Sequence, residues 1–306
     1  MLCLGTTPSF GRTMRFKKLT LDEVNRTADV REYAAGKAPN VARAARTMGG
    51  EPLVLGFVGG HRATPMRESL DAENIRHAFL DVASPLRLCT TIVDDATGSA
   101  TELVEEASPV THADGEALLV ALERQLRDQR VLVISGALVK GLDPDFTARC
   151  VQLARDAGVM TVLDGSGEAL RLALPHRPAV VKVNRSELAG TLGEMIDSDD
   201  ALLAAMRRVS GVTQGWVIVT QGSDSTFAVN GTQTLRASVP KVTLVSPIGS
   251  GDSFAAGVGL GLERGFLMPE TLQLATAMAS ANAETADAAS FESSRMLDLS
   301  KQVRVE

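Results

Sequence analysis

Short apolar runs recur along the chain and alternate with stretches in which apolar residues return every three or four positions. The runs Pro52–Val58, Val131–Ser135, Val159–Asp164, Ala179–Val183 and Trp216–Thr220 are rich in β-branched residues and lack a polar alternate face. A strand covered on both sides needs no polar side, so these runs predict buried, mostly parallel strands. Between them, Leu118, Leu119, Leu122 and Leu126 share one helical face, as do Phe146, Cys150, Leu153, Ala154 and Ala157. Strand and helix in alternation predict an α/β fold, a doubly wound sheet with helices on both faces.

Two stretches interrupt that rhythm, around 13–33 and over 87–106. Both are strand-like and have no crossover helix within them. In the second, Leu88–Val93 and Ala100–Val104 flank the turn-rich Asp94-Asp95-Ala96-Thr97-Gly98, a hairpin pattern. They predict a small β-sheet beside the main one, placed as a lid over a site, with an ordinary surface hairpin as the plain alternative. No repeat, low-complexity tract or long linker breaks the rest, so a single domain over 1–306 with these strands inserted is expected.

Composition narrows the chemistry. The 306 residues are 44% hydrophobic and carry a formal net charge of -6, so no broad basic field exists to bind nucleic acid or an anionic membrane. An anionic substrate must meet individually placed cations. No run approaches the ~20 apolar residues of a membrane span, and the first residues lack a basic stretch leading into a long apolar one, which points to the cytoplasm. Cys3, Cys89 and Cys150 are too scattered for a disulfide framework or a Cys-x-x-Cys site. His61, His77, His112 and His176 are equally dispersed, leaving little basis for a histidine or zinc mechanism.

The most informative segment is Ser246-Pro247-Ile248-Gly249-Ser250-Gly251-Asp252-Ser253-Phe254-Ala255-Ala256-Gly257. It reads as a glycine-rich turn opening a helix, whose free first-turn N–H groups and dipole favour an anion. Asp252, in that turn, could be a simple helix cap. It could equally accept a proton from an attacking hydroxyl while the backbone N–H groups of that turn steady a phosphoryl group. Neither a Walker loop nor the protein-kinase motif set is present.

This segment closely resembles the C-terminal signature of the PfkB carbohydrate kinases, within the ribokinase-like superfamily. Further motifs agree in order: Ala35-Gly36-Lys37-Ala38-Pro39-Asn40-Val41-Ala42-Arg43, Gly56-Phe57-Val58-Gly59-Gly60, Val133-Ile134-Ser135-Gly136, Asp164-Gly165-Ser166-Gly167-Glu168-Ala169-Leu170, Lys182-Val183-Asn184-Arg185-Ser186-Glu187 and Thr220-Gln221-Gly222. The resemblance spans nearly the whole chain and is nearest the 1-phosphofructokinase and tagatose-6-phosphate kinase branch. It implies a ribokinase-like fold, ATP as co-substrate, Mg²⁺, and a lid through which two copies form a homodimer. It further implies Asp252 as base with Gly249, Ser250 and Gly251 as the anion hole, Lys182, Thr220 and Gly222 at the nucleotide, and Asn184 and Glu187 organising Mg²⁺ through water. Asn40 is implied on sugar hydroxyls, and Lys37 and Arg87 on a substrate phosphate.

Three departures fall on the substrate side. Gly11 stands where the family commonly has a sugar-binding carboxylate, Ala38 replaces a signature glycine, and Ala137 replaces a hydroxyl residue. The leading expectation is a kinase for a phosphorylated ketohexose, such as a fructose or tagatose phosphate. Alternatives are the same chemistry on an unphosphorylated sugar, sugar acid, polyol or nucleoside, and, of another class, a non-catalytic binding protein.

Overall fold

The apolar runs assemble side by side. In the computed structural model, which describes residues 1–306, the central sheet contains β1 (Leu2–Gly5), β4 (Leu53–Val58), β5 (Arg76–His77), β6 (Leu80–Asp81), β9 (Val131–Ser135), β10 (Met160–Asp164), β11 (Val180–Asn184), β12 (Trp216–Thr220), β13 (Thr226–Asn230) and β14 (Gln233–Ala237). Their order is β14-β13-β12-β11-β10-β9-β1-β4-β5, with the short β6 also on β4. All neighbours are parallel except β12–β13 and β13–β14. The five predicted runs become β4, β9, β10, β11 and β12, with ends shifted by at most one residue.

The helices are α1 (Lys37–Thr47), α2 (Ala63–Ala72), α3 (His112–Leu126), α4 (Phe146–Asp156), α5 (Gly167–Ala173), α6 (Arg185–Leu192), α7 (Asp199–Thr213), α8 (Ser250–Glu263), α9 (Met268–Ala283) and α10 (Ser293–Ser300). Two apolar layers of similar size, 39 and 36 residues, flank the sheet, so both of its faces are covered. Successive strand residues go to opposite layers: Val131 and Val133 pack with α1, α2, α8, α9 and α10, whereas Leu132 and Ile134 pack with α3 to α7. That double burial is why these strands read as unbroken apolar runs.

Helix α8 is buried from Asp252 through Gly261 and lies against α9. Gly257 permits this approach, since a Cβ there would stand 2.5 Å from the Ala275 Cα.

A second, four-stranded sheet has the order β3-β2-β7-β8, formed by β2 (Ser9–Phe16), β3 (Val30–Ala35), β7 (Arg87–Asp94) and β8 (Ser99–Val104). The β7–β8 pair is the hairpin, antiparallel across the Asp94–Ser99 turn, and β2 joins β7 in parallel. Strand β2 begins at Ser9, ahead of the stretch near residue 13, and residues 17–29 contain no strand. The Ala34 carbonyl accepts from Arg43 of α1, and its N–H donates to Ser69 of α2, which ties this sheet to the main body.

Candidate active site

The C-terminal ends of the parallel strands converge on the start of α8, the place where open α/β sheets commonly bind ligands. Gly249 caps the helix in the left-handed region at φ 82°. A side chain here would be strained and would also collide, because a Cβ would lie 2.5 Å from Ala289 N. No side chain caps α8. The Ser250 N–H reaches Pro247 O and the Ser253 N–H reaches Gly249 O, while those of Gly251 and Asp252 have no protein acceptor. The helix therefore offers two adjacent donors at the positive end of its dipole.

Asp252 sits in the same turn, 7% exposed, and its Oδ2 accepts from Asn40 Nδ2 at 2.8 Å. Burial raises its pKa to about 6; Lys37, Asn40 and Lys182 favour the charged form, whereas Asp164 opposes it. Asn40 is itself oriented. Its Oδ1 accepts from Arg43 at 3.2 Å, and Arg43 is locked by both oxygens of Glu73 and by Ala34 O. With Oδ1 engaged by a cation, the amide must turn Nδ2 toward Asp252.

A second buried carboxylate, Asp164 at the end of β10, gathers the lysines. It accepts from Ser135 Oγ at 2.6 Å, Lys182 Nζ at 3.0 Å and Lys37 Nζ at 3.3 Å. Burial opposes its ionisation, but Lys182, Lys37 and these hydrogen bonds overcome that and bring its pKa down to about 2. Burial likewise works against the charge on Lys37, and the field of Asp164, Asp252 and Glu187 outweighs it, raising its pKa. Lys182 is buried beneath the glycine turn, its Nζ 3.2 Å from where a Gly251 Cβ would stand.

Asn184 and Glu187 form a reciprocal capping box on α6. The Glu187 N–H donates to Asn184 Oδ1 at 2.8 Å, and the Asn184 N–H donates to Glu187 Oε2 at 2.7 Å. Glu187 Oε1 makes no hydrogen bond within the protein, so one carboxylate oxygen is available. Thr220 ends β12, and Gly222 turns the chain at φ 62°. Beside them opens a polar cavity of about 770 Å³, lined in part by Arg185, Gln221, Ser223, Arg236 and Ser238.

On the opposite side, Arg87 donates to Thr7 O at 3.0 Å and to Glu105 O at 3.3 Å, leaving a buried Nε without a partner. Lys37 approaches the same region: a Cβ on Gly136 would lie 3.6 Å from Thr7 Oγ1 and 3.7 Å from Lys37 Cβ. Gly11 has a structural reason. It faces Tyr33 across β2–β3, and a Cβ there would be 2.7 Å from the Tyr33 ring, so the ring fills the room a carboxylate would need. Ala38 packs under Gly5, and the Ala137 carbonyl accepts from Thr6 Oγ1.

Residues 6–295 match the model of the pfkB family of carbohydrate kinases. The chain belongs to this family. As a carbohydrate kinase it is a phosphotransferase, and the family implies ATP as co-substrate. It is 30% identical to a tagatose-6-phosphate kinase of Staphylococcus epidermidis, over 100% of this chain and 99% of the relative. Its fold is that of phosphofructokinase-2 from Escherichia coli in complex with potassium (TM-score 0.91, 21% identity, 99% of this chain and 98% of that one). It is also that of a possible 1-phosphofructokinase from Thermotoga maritima (TM-score 0.89, 21% identity, 100% and 99%). No helix of the kinase is long and apolar enough to cross a membrane.

Asp164, Ser135 and Arg43 lie inside the family-like motifs, which by themselves assign them no individual role. Their signal was the motif; their partners lie 29 residues away for Ser135 and 30 for Glu73 with Arg43, beyond any local pattern.

Proposed function

We propose that this kinase transfers the terminal phosphoryl group of ATP to a hydroxyl of a phosphorylated ketohexose, a fructose or tagatose phosphate, with Asp252 as general base. The observation that carries the chemistry is a buried carboxylate, oriented by Asn40, in the same helical turn as two unpaired N–H groups. The substrate class rests on the full-length likeness to a tagatose-6-phosphate kinase.

In this reading Asp252 takes the proton as the hydroxyl oxygen bonds phosphorus and the bond to ADP breaks. The Gly249–Gly251 turn faces the transferring phosphoryl oxygens through the free N–H groups of Gly251 and Asp252, the Ser250 N–H expected among these donors being taken by Pro247 O, and Lys182, Thr220 and Gly222 line the nucleotide. Lys37 and Arg87 serve the substrate phosphate and Asn40 a sugar hydroxyl as well as the base. Mg²⁺ suits the free Oε1 of Glu187, which would hold it through water, with Asn184 fixing that carboxylate while its own Oδ1 accepts from the Glu187 N–H and Ser186 Oγ. Bound there, it would offset phosphate charge.

The second sheet, inserted into a single kinase domain, acts as the lid. We place the protein in the cytoplasm, in keeping with three buried free cysteines. A homodimer through the lid fits its exposed Val30, Leu103 and Val104, the last two on edge strand β8.

The test is ATP consumption with a panel of sugars and sugar phosphates, for the native chain and for Asp252→Asn. A phosphorylated ketohexose should be the best acceptor, and the variant should lose about a hundredfold or more in kcat with ADP binding kept. Preference for a free sugar or sugar acid rejects the substrate class, and turnover near the native value in Asp252→Asn rejects the base.

A further inference from the structure

Asn282 lies in the last turn of α9, fully buried, and its side chain serves two segments outside its own helix. Its Nδ2 donates to Ile248 O at 2.8 Å and to Ser250 Oγ at 2.9 Å, and its Oδ1 accepts from Ala289 N at 2.6 Å. The amide thus uses both its donor and acceptor ends, as a buried primary amide must to offset its desolvation. One partner segment is the turn that opens α8. The other holds Ala288 and Ala289, which fill the space beside Gly249, with Ala289 itself left-handed at φ 57°.

The contacts continue outward. Asp287 accepts from Arg31 of β3 at 2.8 Å, so the second sheet reaches the segment that Asn282 secures. Backbone bonds from Val245 and Ser246 to Ala283 O attach the approach to the turn at the same helix end. A residue present only to close α9 would be expected to satisfy that helix's own last carbonyls. Asn282 instead binds partners 34 residues upstream and 7 downstream.

We propose that Asn282 is a positioning residue for phosphoryl transfer. It holds the Ile248–Ser250 turn so that the first N–H groups of α8 point at the transferring phosphoryl. Through the Asp287–Ala289 segment it also links this alignment to the position of the second sheet. The inference rests on the phosphoryl-binding reading of α8 given above. Donors aimed in advance at developing charge matter most in the transition state, so a small misalignment should act on kcat rather than on ground-state binding.

The test uses Asn282→Asp, which keeps the shape and the acceptor for Ala289 but replaces the donor to Ile248 O and Ser250 Oγ with an anionic oxygen. We expect kcat to fall by about thirtyfold or more, somewhat less than the loss of an oxyanion donor itself, with KM for ATP and sugar phosphate within about threefold. Affinity for ADP with aluminium fluoride, a mimic of the transferring group, should fall in parallel, while affinity for ADP alone should hold. A folded variant retaining kcat within about threefold of native overturns the proposal. So does an equal loss of affinity for ADP alone, the mark of general loosening. If Asn282→Asp does not fold, Asn282→Ser, which keeps a hydroxyl in a smaller side chain, is judged by the same measurements. Asp252→Asn run in parallel separates the two ideas: native turnover in that variant removes the underlying reading, whereas loss there with native behaviour at Asn282 removes only the positioning role.

Discussion

Asp252 is poised by opposing influences that can be separated by substitution. Burial pushes its carboxyl up to about 6, and the Asn40 hydrogen bond pulls against that shift. In the proposed role as general base the active form is the ionised one, so kcat/KM should be flat above about pH 6 and should fall about tenfold per pH unit below it. Lys37, Lys182 and Asp164 are the charged groups acting on this titration. Arg43→Met releases Asn40 Oδ1 and lets the amide turn away from Asp252. Losing a donor to the charged form raises the carboxyl pKa, so the acid limb should move to higher pH. A pH–rate profile of the variant checks this; an unmoved limb, with only a lower melting temperature, would assign Arg43 to packing alone.

The capping box of α6 has two consequences that differ in kind. As local structure, Asn184 and Glu187 satisfy each other's backbone N–H groups, which alone explains a pattern of Asn and Glu three residues apart. As chemistry, the free Oε1 of Glu187 would, in the proposed function, organise an ion through water beside the nucleotide. Glu187→Gln keeps an oxygen able to accept from the Asn184 N–H but removes the charge. It should therefore raise the Mg²⁺ concentration needed for half-maximal rate by about tenfold or more, with little change in melting temperature or in KM for the sugar. Titrating Mg²⁺ at saturating ATP reads the effect, and an unchanged requirement leaves the motif as a cap.

At the scale of the whole molecule, the second sheet is a single layer of four strands, and its edge strand β8 is exposed at every residue but Ala100, including Leu103 and Val104. Such an edge is a template for pairing unless another surface covers it. Replacing both residues with lysine should convert a dimer to a monomer in sedimentation experiments, and a native chain that is monomeric at micromolar concentration would exclude the lid interface. The main sheet was legible because Val131–Ser135 and its neighbours are buried on both faces, and that demand is written into each run separately. Strand β1 was not, although it is central, because Leu2–Gly5 is too short to show a period. Strand β14 escaped because its mixed burial leaves no apolar run, and β13, although buried from Thr226 to Val229, shows only the three apolar residues Phe227–Val229 between polar ends. The glycine turn and its carboxylate were readable from adjacent residues, because Gly249, Gly251 and Asp252 act within one helical turn. The Arg43–Asn40–Asp252 chain, the two lysines on Asp164, the Tyr33 ring over Gly11 and the reach of Asn282 were decided only by tertiary structure. Each joins residues whose meeting depends on how the sheet orders its strands and how closely α8 settles on α9, and no local pattern encodes that distance.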